Sequence, residues 1–348
     1  MGIVGGTGYV GGELLRLLLN HPKVTVSTVT SRKQMGEYVY RVHPNLRQRT
    51  QLKFTPPNLQ NLSHSCDVIF VATPHGEAVD LVPRLLETGV KVIDLSANYR
   101  LHNPADYQRW YNWNHKYPDL LNEAVYGLPE LHRTDIQRAQ LIACPGCMPT
   151  ATILGLAPVI KESLVEEQRI VVDVKIGSSG GGATPTPASH HPERFGGIRA
   201  YHVEGHRHIP EIEQELNALT SSQLYISFTA HAVNMVRGIL ATIHCFPKKP
   251  VTIPQIWRIY RPFYRNEPFV RLVRDVKSLY RLPNPNIIIG SNYCDVGFEV
   301  DNHFNHLIIF SAIDNMVKGG AGQGVQCLNI ILGLDERTGL ENSGFHPM

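Results

Sequence analysis

Short apolar runs separated by amphipathic stretches dominate the first 150 residues, and apolar and polar positions alternate through much of the remaining chain. Residues 1–5 read as a short apolar strand, 24–29 and 139–143 as two more, and 67–72 and 90–95 are nearly all apolar. Unbroken apolar runs suit parallel strands buried on both faces. Helical patterns at 13–19 and 78–87 fall between them, so this half predicts a doubly wound α/β sheet. Residues 101–125, rich in Tyr, Trp, Asn and His with little periodicity, predict a long ordered excursion.

Beyond it, 150–157 reads as the apolar start of a helix and 169–176 as a strand, which runs into a Gly- and Pro-rich loop at 177–187. Residues 227–233 and 237–246 alternate enough to predict an antiparallel sheet. A helical segment at 253–264 and an apolar strand at 307–312 come next. Residues 314–332 predict a helix whose small residues permit close packing, expected to return to the first domain. The domain bounds expected on this pattern are 1–147, 148–313 and a returning segment, 314–348.

Gly5-Gly6-Thr7-Gly8-Tyr9-Val10-Gly11 stands between the first strand and the first helix. Strand, glycine turn and helix in that order suit a dinucleotide: Gly5 allows the tight turn, Gly8 the close backbone approach and Gly11 the helix packing. The alternative is a plain glycine-rich turn. The next strand ends in Ser31-Arg32-Lys33, with no acid for a ribose 2′-hydroxyl. Hydroxyls and cations there favour a 2′-phosphate, hence NADP, against a merely solvated strand end. Thr73 to Gly76 and Ser96 to Arg100 also fall at carboxyl ends of strands, where ligands bind in such sheets. Arg100 is a candidate contact for substrate or phosphate; His75 is as readily structural.

Cys147 follows Pro145-Gly146 at a turn-to-helix junction, where unpaired N–H groups and the helix dipole favour a thiolate. Cys144, three residues earlier, leaves a redox or zinc CxxC open. The single CxxC has no second such pair, so no metal site is expected. A basic cluster, His190, His191, Arg194, Arg199, His202, His206, Arg207 and His208, runs up to Glu211. It reads as a catalytic base with a cationic surface, or as a solvated basic loop. Pro210 suits a first helical turn. One of His206 and His208 could face a pocket while the other, or Glu211, orients it.

With 348 residues, 43% hydrophobic and 18% charged, the chain is a globular protein with room for two domains. A net charge of +3 does not argue for nucleic acid but suits an anionic substrate or partner. No apolar run spans a bilayer, no leader-like or myristoylation pattern opens the chain, and the six scattered cysteines suit a reducing compartment. A cytoplasmic location is expected.

On Gly5–Gly11, Tyr126–Leu131, Pro145-Gly146-Cys147, Gly205–His208, Pro210–Leu216, Gly290–Asp295 and Ser311–Gly319, the chain resembles the N-acetyl-γ-glutamyl-phosphate reductase family of semialdehyde dehydrogenases. The resemblance implies an α/β Rossmann domain holding NADP(H), with Asn315 near the nicotinamide, and an α+β catalytic and oligomerisation domain forming a dimer or tetramer. It implies Cys147 as nucleophile and His206, His208 and Glu211 in acid–base work. Cys144 and Met148 depart from the Asn and Tyr usual beside this cysteine. Residues 183–194 and His43-Pro44-Asn45-Leu46-Arg47 look like the branch acting on an acyl phosphate attached to a small acidic carrier protein in lysine or arginine biosynthesis. The basic residues His190, His191, Arg194 and Arg199 would then steer the carrier. The alternatives are the same chemistry on free N-acetylglutamyl phosphate, and a non-catalytic nucleotide-binding regulator. Residue types alone do not separate glutamyl from aminoadipyl substrates, since one methylene is worth only about 1–3 kcal/mol.

Overall fold

The computed structural model describes residues 1–275 and 277–347. Two compact units emerge, Met1–Pro145 with Gly320–Glu341, and Gly146–Gly319 with the residues from Asn342 onward. Against bounds of 147 and 313 read from sequence, the chain passes between units at Pro145/Gly146 and Gly319/Gly320.

The first unit carries seven strands: β1 Gly2–Val4, β2 Thr28–Thr30, β3 Phe54–Thr55, β4 Val68–Val71, β5 Lys91–Asp94, β6 Val125–Tyr126 and β7 Leu141–Ala143. They form one parallel sheet in the order β3-β2-β1-β4-β5-β7-β6. The order reverses at β1, which has β2 on one side and β4 on the other, and that is where open α/β sheets bind ligands. The strand expected over 24–29 pairs only through Thr28–Thr30, because β1 offers three residues of ladder. The helix Tyr9–Leu18 begins at the glycine turn.

The aperiodic stretch 101–125 contains two short helices, Pro104–Tyr111 and Pro118–Glu123, each with proline in its first turn. Asn103 caps the first by accepting from the Ala105 N–H at 3.1 Å. Neither is long enough to show a period. Aromatic residues of this stretch gather around buried Tyr107, whose ring lies 4.8 Å from those of Trp113 and His115 in the loop between the helices.

The second unit also has seven strands: β8 Ile170–Ile176, β9 Arg199–Tyr201, β10 Ile226–Ala232, β11 Ile239–Cys245, β12 Val270–Leu272, β13 Cys294–Asp301 and β14 His306–Ile313. Their order is β12-β13-β14-β11-β8-β10-β9. The expected antiparallel sheet is corrected to a mixed one: β8 lies between β10 and β11, parallel to the former and antiparallel to the latter. Alternation reports that one face is buried, which either pairing direction satisfies. β13 was not read from the sequence at all, because Asp295, Glu299 and Asp301 break its apolar pattern.

Helix Cys147–Lys161 packs against β11 and β14, and Met148 through Ile160 are buried without a break. A helix apolar on every side belongs inside a core. Helix Ile253–Phe263 braces it, with the Tyr260 hydroxyl donating to the Gly155 carbonyl at 2.7 Å and that of Tyr264 to Leu154. Gly155 lets the chains approach closely at this crossing, since a Cβ there would sit 2.8 Å from Ile243 Cδ1 and force it to shift. Among the described residues no helix is long and apolar enough to cross a membrane.

Tyr260→Phe removes one buried donor and is expected to lower the unfolding free energy by about 1 kcal/mol, read from urea denaturation midpoints at unchanged slope.

Candidate active site

In the first unit the three glycines of the turn have distinct surroundings. Gly5 adopts φ +84°, and a Cβ there would lie 2.6 Å from the Ala72 carbonyl oxygen. Gly11 packs on Gly6, with its Cβ position 2.8 Å from the Gly6 backbone. A Cβ on Gly8 would meet nothing within 4 Å. Turn, open cradle and close packing thus occur in the sequence a pyrophosphate requires, and the residues fit a dinucleotide. Thr7 and Val10 are half-buried and Tyr9 is exposed around the turn.

His43 lies beneath the loop, a contact that sequence reading did not find. Its Nε2 bonds the Gly6 carbonyl at 2.8 Å, and its ring fills the space beside Gly12. Burial holds the His43 pKa below the usual imidazole range. At the end of β2, Ser31 is buried and its Oγ accepts from the N–H groups of Lys33 and Gln34 at 3.2 and 3.1 Å. Arg32 and Lys33 extend exposed from that turn, where a 2′-phosphate would find them. Arg100 is buried, donating from Nε to the Cys144 carbonyl at 2.6 Å and from a terminal nitrogen to that of Leu95 at 3.1 Å. Those two bonds brace backbone at the strand ends.

In the second unit Cys147 is the first residue of its helix and the one half-exposed cysteine of six, the other five being buried. Pro149 has no N–H, so the first turn keeps only those of Cys147 and Met148 for an anion. Glu211, fully buried, accepts from the Gly146 N–H at 2.6 Å and so grips the residue just before the cysteine. The sequence reading let either the second histidine or Glu211 orient the first; the bond to Gly146 also ties Glu211 to the turn. A Cβ on Gly319 would lie 2.7 Å from that of Cys147, so only glycine allows the thiol its position. Gly319 stood in the sequence as one of a glycine pair, with nothing to signal this contact.

His206 and His208 are both buried, with ring centroids 4.7 Å apart. The His208 N–H donates to His206 Nδ1 at 3.1 Å, which leaves Nε2 to carry the ring proton. Burial first, then the positive charge of Arg207 and the neighbouring His202, push His206 down to about 3. At neutral pH it is an uncharged Nε2–H donor. Burial and then Cys147 push the Tyr201 hydroxyl up to about 12, so it too stays protonated.

Of the remaining predicted residues, Arg194 lies close enough to Tyr201 for their charges to interact. Asn315 Oδ1 accepts from the Gly238 N–H at 2.8 Å, and Nδ2 donates to Ser179 Oγ at 2.9 Å. His190, His191 and Arg199 are exposed, and Arg199 donates to the Ala188 carbonyl at 3.1 Å. Arg194 is half-buried, donates to the Ile176 carbonyl at 2.9 Å, and is held below the usual guanidinium range by burial. Among the described residues no group of three or more His, Cys, Asp or Glu could hold a metal ion.

Two outcomes are expected. Gly319→Ala displaces the thiol and changes the rate at which iodoacetamide alkylates Cys147 in the native protein at least about tenfold, followed by peptide mass. Because folded His206 titrates near 3 against an ordinary 6.5, the unfolded chain binds the extra proton between those values, so its share of stability is present above pH 6.5 and lost as pH falls towards 3. His206→Gln should flatten this acid limb by up to about 1.4 kcal/mol per pH unit in urea titrations.

Residues 1–139 match the semialdehyde dehydrogenase NAD-binding domain and 147–315 the semialdehyde dehydrogenase dimerisation domain. The chain is 50% identical over 348 residues to a Cenarchaeum symbiosum protein named as a LysW-L-2-aminoadipate/LysW-L-glutamate phosphate reductase, covering 100% of this chain and 99% of that one. It is 47% identical over 345 residues to the Saccharolobus solfataricus protein of the same name, covering 99% and 97%. A Thermomicrobium roseum protein named as a LysW-L-2-aminoadipate 6-phosphate reductase is 52% identical, covering 99% and 98%. Among solved structures, aspartate semialdehyde dehydrogenase II from Vibrio cholerae superposes with a TM-score of 0.69 at 17% identity, covering 95% of this chain and 97% of that one. The Candida albicans aspartate semialdehyde dehydrogenase solved with NADP gives 0.68 at 16%, covering 95% and 97%, and both likenesses bear on the fold alone. A nucleotide cradle, a cysteine at a helix start and full-length similarity to phosphate reductases lead to one conclusion: the chain belongs to the semialdehyde dehydrogenase family.

Proposed function

We propose that this enzyme reduces an acyl phosphate carried on a small acidic carrier protein, an aminoadipyl or a glutamyl phosphate, to the semialdehyde with release of phosphate. The observation that carries the reading is Cys147, half-exposed at the first turn of a buried helix, its preceding N–H held by Glu211. The names of the relatives supply the carrier-linked substrate. The exposed His190, His191 and Arg199 suit an acidic partner.

Cys147 thiolate attacks the acyl carbonyl carbon, the bond from that carbon to the phosphate oxygen breaks, and phosphate leaves, with the acyl group now on Sγ as a thioester. The Gly5–Gly11 turn and the Ser31–Lys33 strand end would hold NADPH, which when bound would supply the hydride that takes the thioester to the aldehyde level. Glu211 fixes the turn so that Sγ holds one position throughout. An uncharged His206 with its proton on Nε2 donates a hydrogen bond to oxygen as negative charge develops there. Breaking the carbon–sulfur bond releases the aldehyde and returns the thiolate. The enzyme acts in the cytoplasm as a dimer or tetramer, built through the second unit.

NADP reduction in the presence of phosphate tests the substrate, comparing carrier-linked aminoadipate and glutamate semialdehydes with free N-acetylglutamate semialdehyde. Turnover confined to the carrier-linked aldehydes is expected, and equal turnover of the free compound would return the chain to the free-metabolite reaction. Cys147→Ser should lower kcat by at least about 1,000-fold with NADPH affinity unchanged.

A further inference from the structure

Two buried polar groups at the carboxyl ends of β4 and β5 lack partners that the rest of the first unit would lead one to expect. Thr73 follows β4 and touches the nucleotide turn: a Cβ on Gly5 would lie 3.1 Å from its Cγ2. Its Oγ1 is buried with no hydrogen-bond partner. Asn98 follows β5 and is wholly buried. Its Oδ1 accepts from the Gly76 N–H at 2.7 Å, its N–H donates to Ser96 Oγ at 3.2 Å, and its carbonyl bonds His115 Nε2 at 2.8 Å. His75 Nδ1 accepts from the Ala97 N–H at 3.1 Å and clasps the same two loops a second time.

Asn98 is therefore held at three points. Because Gly76 takes Oδ1, the amide orientation is set, and Nδ2 is left buried with no acceptor. Buried donors in native proteins almost always find a partner. A residue this firmly positioned, with one orphaned donor at a strand end where such sheets bind ligands, points to a partner on the ligand.

Sheet geometry says which part of the ligand. Ser31 marks the adenosine side, over β1 and β2, and the glycine turn marks the pyrophosphate. A dinucleotide crossing the switch point continues over β4 and β5, the strands whose loops carry Thr73 and Asn98. We propose that Thr73 Oγ1 and Asn98 Nδ2 bind the ribose hydroxyls of the nicotinamide half of the cofactor. A sugar hydroxyl both donates and accepts, so it matches a threonine hydroxyl and an amide donor together. The assignment rests on the reading of Gly5–Gly11 as the pyrophosphate turn.

The test measures dissociation constants of the full chain for NADP, for 2′,5′-ADP, which lacks the nicotinamide ribose, and for an NADP analogue whose nicotinamide-ribose hydroxyls are replaced by hydrogen. Thr73→Val and Asn98→Ala are each expected to weaken NADP about tenfold while leaving 2′,5′-ADP unchanged. The deoxy analogue should bind wild type about tenfold more weakly than NADP yet lose little further in either variant. Losses that add, or fall equally on 2′,5′-ADP, would assign both residues to loop structure and overturn the proposal. Gly8→Val separates the two readings: if NADP affinity survives it, the turn itself is misassigned, and if it falls while Thr73→Val and Asn98→Ala bind normally, only the ribose contact fails.

Discussion

The position of Cys147 depends first on the packing of helix Cys147–Lys161 inside the second unit. Thirteen consecutive residues, Met148 to Ile160, are buried against the sheet and the Ile253–Phe263 helix. Protein interiors pack at crystal-like density, so such a helix has no room to slide or turn. Its first residue inherits that rigidity while reaching partly into solvent. The Glu211 bond to Gly146 and the close approach of Gly319 then set the thiol from two further sides. The nucleophilic role proposed for Cys147 needs this immobility, because misplacement of an attacking atom raises the barrier steeply.

The nucleotide unit reaches its geometry differently, by omitting atoms. Gly5 and Gly11 lack a Cβ because backbone occupies the place, whereas Gly8 lacks one beside open space. Only the last is an absence that a ligand can use. His43 holds the loop from beneath through the Gly6 carbonyl, so the cradle stands ready rather than forming on contact. A preformed loop leaves less ordering entropy to offset on binding.

Electrostatics divides the histidine-rich stretch into two groups that its composition runs together. His206 and His208 are buried, and His206 is uncharged, with Nδ1 already accepting a backbone N–H. A ring in that state donates a hydrogen bond better than it takes up a proton, so it fits stabilisation of developing charge more than general-base work. His190, His191 and Arg199 remain in water, where the charge of Arg199 is screened. Arg100, like His206 and His208, is buried, donating to the carbonyl oxygens of Cys144 and Leu95.

By itself the sequence determined the parallel sheet, the glycine turn and the junction at Cys147. Each is a local property: an unbroken apolar run, a strand–turn–helix order, a Pro-Gly before an apolar helix. Tertiary structure alone decided that β8 separates β10 from β11, that Cys294–Asp301 is a strand despite its charges, and that two short helices lie in the aperiodic stretch. It also decided that Glu211 holds Gly146, that Gly319 presses on Cys147, and that His43 supports the nucleotide loop. These are contacts between residues tens to hundreds of positions apart, and periodicity records which face of an element is buried but not what covers it.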